Sequence, residues 1–105
     1  MGRLIWIFLL CVLLVVAAVT SVQADQGETL FVDKCCSCHQ KGGEAQTIVP
    51  GLYASSGWKR FFDKNKHKRK KDISLQINNE ELNIVKQYLI DHAADSDQPV
   101  IIQLK

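Results

Sequence analysis

Three cysteines and a histidine lie within five consecutive residues, Cys35-Cys36-Ser37-Cys38-His39. The pattern is C-x-x-C-H, the attachment signature of a c-type haem. Two thiols three positions apart can each form a thioether with a vinyl group of one porphyrin, and the next histidine can bind the iron. We therefore predict that Cys35 and Cys38 hold one covalent haem c and that His39 is its proximal ligand. Cys36 fills an open position of the pattern, and its role is left unassigned.

Zinc binding and dithiol redox chemistry are the alternatives for a C-x-x-C pair. The histidine directly after the second cysteine favours haem over both. A chain of 105 residues also buries only a small core, and a covalent haem would add a large apolar body to it. A zinc or dithiol protein without haem is therefore the weaker hypothesis.

The distal ligand, on the side of the iron away from His39, must come from a residue outside the C-x-x-C-H motif. Met1 is the only methionine, so a methionine sulfur is excluded. His67 precedes the last predicted helix and, as a neutral imidazole, is a suitable metal ligand. His92 falls at the end of that helix, where a protonated imidazole interacts favourably with the helix dipole. We predict His67 as the distal ligand, with His92, a lysine, Asn65 or no residue as the alternatives.

The N-terminal segment has the pattern of a secretory signal. Arg3 gives it a positive start, residues 4–19 form an unbroken apolar run, and a short polar stretch ends at Ala24. The run is shorter than the ~20 residues that a membrane-spanning helix needs. We predict that residues 1–24 are a cleaved signal peptide and that residues 25–105 form one domain in the periplasm. An uncleaved membrane anchor is the alternative.

Three amphipathic segments predict an all-α domain. The first begins at Asp25, a suitable N-cap, and ends at the C-x-x-C-H motif. The second begins at Ser55 or Ser56 and carries the densest aromatic cluster, which consists of Trp58, Phe61 and Phe62. The third begins at Asn78 or Asn79, and its apolar face consists of Leu82, Val85, Tyr88 and Leu89.

Two further segments are predicted to be extended. Ile73, Leu75 and Ile77 alternate with polar residues, which is the period of a strand. Residues 100–104 are more apolar than a free tail should be, so we expect them to pack back on the domain as an arm.

The string Gly27-x-x-Leu30-Phe31 before C-x-x-C-H resembles the N-terminal helix of class I cytochromes c. The resemblance implies a small fold in which the N- and C-terminal helices cross at Gly27 and Phe31, with haem in the core. It also implies that Pro50 lies against His39. The order of C-x-x-C-H, Trp58, His67 and a last helix is similar to the haem domains of bacterial dihaem cytochromes c. This chain has one C-x-x-C-H, so a single haem is expected.

The predicted function is one-electron transfer by an electron carrier, because no acid/base pair or nucleophile constellation that would indicate an enzyme stands out. Residues 59–71 contain eight Lys or Arg and one acid, and such a surface would steer acidic redox partners. Nucleic-acid binding is the usual alternative function of a basic patch. The predicted export of the chain and the acidic residues elsewhere in it argue against that function. The alternative function is a haem-based small-gas binder or sensor whose sixth ligand is displaceable or absent.

Overall fold

The computed structural model describes residues 2–103, except for the side chains of residues 12–25. Helix α1 spans Gly2–Leu30 and continues as one π-helical turn over Phe31–Cys35. A 3-10 turn at Pro50–Leu52 precedes α2 (Ser55–Asp63), α3 (Lys66–Lys70) and α4 (Asn79–Asp91). The described residues contain no β-strand, and one isolated bridge joins His39 to Ala45. The prediction of an all-α fold is confirmed.

Helix α1 is longer than the sequence predicts. It passes through Asp25 without interruption, so Asp25 is not an N-cap and that prediction was wrong. The residues before Asp25 include many strong helix formers, which extend the helix toward the N-terminus. Among the described residues, no helix has the length and apolar character needed to cross a membrane. The division between residues 24 and 25 stays a prediction.

The crossing of α1 and α4 forms the centre of the core. Gly27 lies so close to α4 that a Cβ on it would be 2.8 Å from the Cβ of Tyr88. The ring of Phe31 is 1% exposed, and its centroid lies 5.7 Å from that of Tyr88. Val85 and Leu89 on α4 are also buried. The predicted crossing of the terminal helices is confirmed.

The helices α4 and α2 begin with different hydrogen bonds. Asn78 and Glu81 form a capping box, in which the Glu81 N–H donates to Asn78 Oδ1 at 2.8 Å. This confirms the predicted start of α4. At α2, the backbone N–H and the hydroxyl of Ser55 both donate to Asp95 Oδ1 at 2.8 Å. Asp95 follows α4, so these bonds join the start of α2 to the end of α4.

The segment over residues 73–77 is a turn, so the prediction of an extended segment was wrong. The N–H groups of Gln76 and Ile77 donate to the Ile73 carbonyl at 3.0 and 3.1 Å. Ile77 is buried and Ile73 packs against the core, whereas Leu75 is 97% exposed. Apolar residues four positions apart reach the same side of a helical turn. The alternation of apolar and polar residues therefore predicted a strand where the chain forms a helical turn.

The segment after α4 packs back on the domain, as predicted. The Val100 N–H donates to the His92 carbonyl at 3.1 Å, and the Gly51 N–H donates to the Val100 carbonyl at 2.7 Å. The Gln103 side-chain amide donates to the His39 carbonyl at 2.8 Å. Residues 100–103, which we call the C-terminal arm, thus reach the backbone of the C-x-x-C-H motif.

Gly27→Ala tests the close helix crossing. Overpacking costs about 1–3 kcal/mol, and Ala gains about 0.5–1 kcal/mol over Gly inside a helix. We expect the free energy of unfolding, measured by urea denaturation, to fall by about 1–2 kcal/mol. Thr29→Ala, at an exposed position of the same helix, is the control and should not destabilise. A Gly27→Ala variant as stable as the wild type would contradict the close approach.

The buried hydroxyl of Tyr88 leads us to expect a loss of folding stability at alkaline pH. Its hydroxyl is buried without a hydrogen-bond partner among the described residues, and burial raises the pKa of Tyr88 to about 12. In the unfolded chain the pKa is about 10, so the contribution to stability is complete below pH 10 and lost as the pH rises toward 12. We expect the thermal midpoint of Tyr88→Phe to fall less over this window than that of the wild type.

At pH 7, Tyr88→Phe should be at least as stable as the wild type, because it removes an unsatisfied buried hydroxyl. Tyr53→Phe is the control, since Tyr53 is 49% exposed. Identical alkaline profiles for the wild type and Tyr88→Phe would show that the hydroxyl is not buried as described.

Candidate functional site

The cysteine motif begins where the π-helical turn ends. The Cys36 N–H donates to the Phe31 carbonyl at 3.1 Å, which is the bond of a π-helical turn. The N–H groups of Cys38 and His39 then both donate to the Cys35 carbonyl, at 3.3 and 3.0 Å. This tight turn brings Cys35, Cys38 and His39 together, and each is partly buried, whereas Cys36 is 6% exposed.

The electrostatics of the thiols disfavour a redox dithiol. Burial, followed by the neighbouring Cys36 and Cys38, raises the pKa of Cys35 to about 12. Burial also raises the pKa of Cys36. Reactive dithiols need at least one cysteine with a lowered pKa, because the thiolate is the nucleophile. The described residues also contain no group of three or more His, Cys, Asp or Glu side chains arranged to hold a metal ion.

The imidazole of His39 is held by a backbone carbonyl. Its Nδ1 lies 2.6 Å from the Gln46 oxygen. Because a carbonyl only accepts, this bond keeps the proton on Nδ1 and leaves the lone pair of Nε2 free. Pro50 is buried, and its carbonyl accepts a hydrogen bond from Trp58 Nε1 at 2.7 Å. Its placement against His39, which the resemblance implies, stays a prediction.

His67 has the same arrangement on α3. Its Nδ1 lies 2.8 Å from the Lys71 carbonyl, so its Nε2 is also free to bind a metal. The Lys71 N–H donates back to the His67 carbonyl at 2.9 Å. Asn65, with a φ of 48°, adopts the left-handed conformation between α2 and α3 and turns the chain there. The ring of Phe61 lies 6.3 Å from that of His67.

The structure brings the two predicted iron ligands together. The ring centroids of His39 and His67 are 6.1 Å apart, and the ring planes are inclined by 77°. A metal–imidazole bond is about 2 Å long, so two imidazoles on opposite sides of one metal have centroids about 6 Å apart. The separation of His39 and His67 matches this value. His92 lies elsewhere, with its ring 4.9 Å from Tyr88 and its Nδ1 2.7 Å from the Gln98 carbonyl.

Comparison with protein families identifies the domain around this site. The family model described as cytochrome c matches residues 24–98. The chain belongs to the cytochrome c family. No curated protein and no solved structure gave a match. The cytochrome c family consists of haem-binding electron-transfer proteins, and its domains bind covalently attached haem c, so the predicted cofactor is confirmed.

The residues of this cytochrome c fit a haem on chemical grounds. Two thiols with the C-x-x-C-H spacing lie beside His39, and His67 presents a second free imidazole nitrogen at a suitable separation. An aromatic cluster lies next to His67, through the Phe61 ring 6.3 Å away. Trp58 is buried and contacts Tyr53, Phe61 and Phe62, with ring centroids 5.0 to 6.4 Å away.

Sequence reasoning missed two residues of this cytochrome c site. Lys71 Nζ forms an ion pair with Glu44 Oε2 at 3.1 Å, and Glu44 also accepts a hydrogen bond from Cys38 Sγ at 3.5 Å. Hydrogen bonding to Lys71 holds the pKa of the Glu44 carboxyl below its usual value. The two residues are 27 positions apart, and opposite charge is a common property of surface residues, so no sequence signal singled them out.

The left-handed conformation of Asn65 leads us to expect that Asn65→Ala and Asn65→Gly differ in stability. Alanine in the left-handed conformation costs about 1–2 kcal/mol, whereas glycine adopts it freely. We expect Asn65→Ala to lower the free energy of unfolding by about 1 kcal/mol and Asn65→Gly to lower it much less. Urea denaturation measures both, with Asn83→Ala at an exposed position of α4 as the control. Equal losses for Asn65→Ala and Asn65→Gly would contradict the left-handed turn before His67.

Proposed function

We propose that this cytochrome c is a periplasmic electron carrier with one haem, held by Cys35 and Cys38 and ligated by His39 and His67. The observation that carries the proposal is the pair of imidazoles 6.1 Å apart. Each donates its Nδ1 proton to a backbone carbonyl and keeps Nε2 free. The covalent haem supplies the one-electron exchange, and no enzymatic activity is proposed.

The ligand set has a consequence for the redox potential. Methionine as the sixth ligand raises the potential of a c-type haem. A site with two histidines therefore has a lower potential than a methionine-ligated relative. Hydrogen bonds from the Nδ1 atoms to the carbonyls of Gln46 and Lys71 orient both rings and make them better donors.

An acidic redox protein is the proposed partner, with residues 59–71 as its docking surface. Lys66, Lys68, Arg69 and Lys70 all lie with His67 on the one-turn helix α3. Positive charge near the proposed redox centre would raise the encounter rate with an acidic protein, and the effect weakens with salt. Nucleic acid is not proposed as a partner.

The N-terminal segment supports the proposed location. Residues 1–24 have the charge and apolar pattern of an export signal, and haem attachment outside the cytoplasm agrees with it. Membrane attachment follows only if this segment is kept. The order of the C-x-x-C-H motif, Trp58 and His67 is similar to that in the haem domains of dihaem cytochromes c. Membership of that group stays a prediction.

His67→Ala tests the proposed ligation. We expect the wild type to have a low-spin absorption spectrum in both redox states and to bind carbon monoxide slowly. His67→Ala should become high-spin and bind carbon monoxide at least tenfold faster, because one iron position is open. His92→Ala, which changes a histidine outside the pair, should leave the spectrum unchanged.

Two results would overturn the proposal in different ways. An unchanged low-spin spectrum in His67→Ala would remove His67 from the iron. A wild-type protein that binds carbon monoxide as fast as His67→Ala would instead support a small-gas binder.

A further inference from the structure

Lys71 is joined to His67 by its backbone and to another part of the chain by its side chain. Its N–H and its carbonyl form reciprocal hydrogen bonds with His67, at 2.9 and 2.8 Å. Its Nζ lies 3.1 and 3.3 Å from the two carboxylate oxygens of Glu44. A displacement of Lys71 would therefore displace the imidazole of His67.

Glu44 lies on the His39 side of the site, opposite the loop that carries His67. The Gly43 N–H donates to the Gln40 carbonyl at 2.8 Å, and the Ala45 N–H donates to the Cys38 carbonyl at 3.0 Å. These bonds fold residues 40–45 into a turn directly after the C-x-x-C-H motif. A Cβ on Gly43 would meet the Cys38 carbonyl, so the turn lies tightly against the motif. Glu44 is thus positioned by the segment that carries His39.

We propose that the ion pair between Glu44 and Lys71 positions His67 and sets how readily an external ligand can replace it. We call this contact the loop ion pair. The inference rests on the proposed ligation by His67. Glu44 and Lys71 are positioning residues, since they act through the His67 loop.

The length of α3 makes such a contact necessary. Lys66–Lys70 is a single helical turn, and isolated helices this short are not stable. Its position therefore depends on contacts at its two ends. Asn65 and the Phe61 ring fix the first end, and the loop ion pair fixes the second. Once Cys38 is a thioether, its sulfur no longer donates to Glu44, and the carboxylate is left to Lys71.

Glu44→Gln and Lys71→Gln test the inference in the haem-loaded protein. The readout is the rate at which carbon monoxide replaces the distal ligand of the reduced protein, measured by rapid mixing. An exposed ion pair makes a modest contribution, so we expect each variant to react roughly two- to fivefold faster. Their spectra without carbon monoxide should stay low-spin, because His67 is still present.

The chain offers a matched control. Lys86 Nζ and Asp63 Oδ1 form the other ion pair among the described residues, also at 3.1 Å, and it joins α2 to α4. Asp63→Asn should leave the carbon monoxide rate unchanged. The exchanged variant Glu44→Lys/Lys71→Glu restores opposite charges and should return the rate toward that of the wild type.

Salt concentration provides a second test, in which the wild type is compared with Glu44→Gln. At about 1 M salt the Debye length is ~3 Å, so the loop ion pair is strongly screened. We expect the wild-type rate to rise toward that of Glu44→Gln, and the rate of Glu44→Gln to change less.

The outcomes separate this inference from the proposed function. Wild-type rates in Glu44→Gln and Lys71→Gln, with a low-spin wild type, would overturn the role of the loop ion pair and leave His67 ligation intact. Equal acceleration by Asp63→Asn would also overturn it, since the effect would then be general. A wild type that matches His67→Ala would overturn the ligation itself.

Discussion

The contact between α1 and α4 at Gly27 is the constraint on which the site depends. Eight buried apolar residues form the described core; Phe31 and Tyr88 meet at this crossing, and Val85 and Leu89 are buried on α4. Phe31 is also the acceptor of the hydrogen bond that defines the π-helical turn before the cysteines. The packing of the terminal helices therefore sets where the C-x-x-C-H motif begins and how far His39 projects from the core.

Backbone carbonyls complete the site on both sides of the proposed iron position. The Gln46 and Lys71 oxygens select the same tautomer in His39 and His67, although the two histidines belong to unrelated segments. On the proximal side the C-terminal arm holds the backbone of His39, through the bond from the Gln103 side chain to the His39 carbonyl. On the distal side the acceptor carbonyl lies at the end of a single helical turn. The distal side is therefore the more easily deformed of the two.

Much of this architecture could be predicted from side-chain chemistry. The spacing of C-x-x-C-H predicted the haem that the family match supports, and the missing methionine directed attention to His67. The start of α4 at Asn78 or Asn79 could be predicted because Asn is a common N-cap, and the structure shows Asn78 in that role. The carbonyl partners of the histidines could not be predicted, since every residue has a carbonyl. Periodicity failed at residues 73–77, where only Ile73 and Ile77 face the core, and the N-cap at Asp25 was overridden by the helix formers before it.

The burial of Cys36 makes three chemically identical thiols unequal. With Cys35 and Cys38 as the proposed thioethers, Cys36 would be the one thiol left in the motif, and it lies inside the core at 6% exposure. Thiol–disulfide exchange requires access and a thiolate, and burial withholds both by enclosing the sulfur and raising its pKa. Cross-linking between two chains would then require local unfolding of the helix crossing. Folding thus acts as kinetic protection of the Cys36 thiol against oxidation.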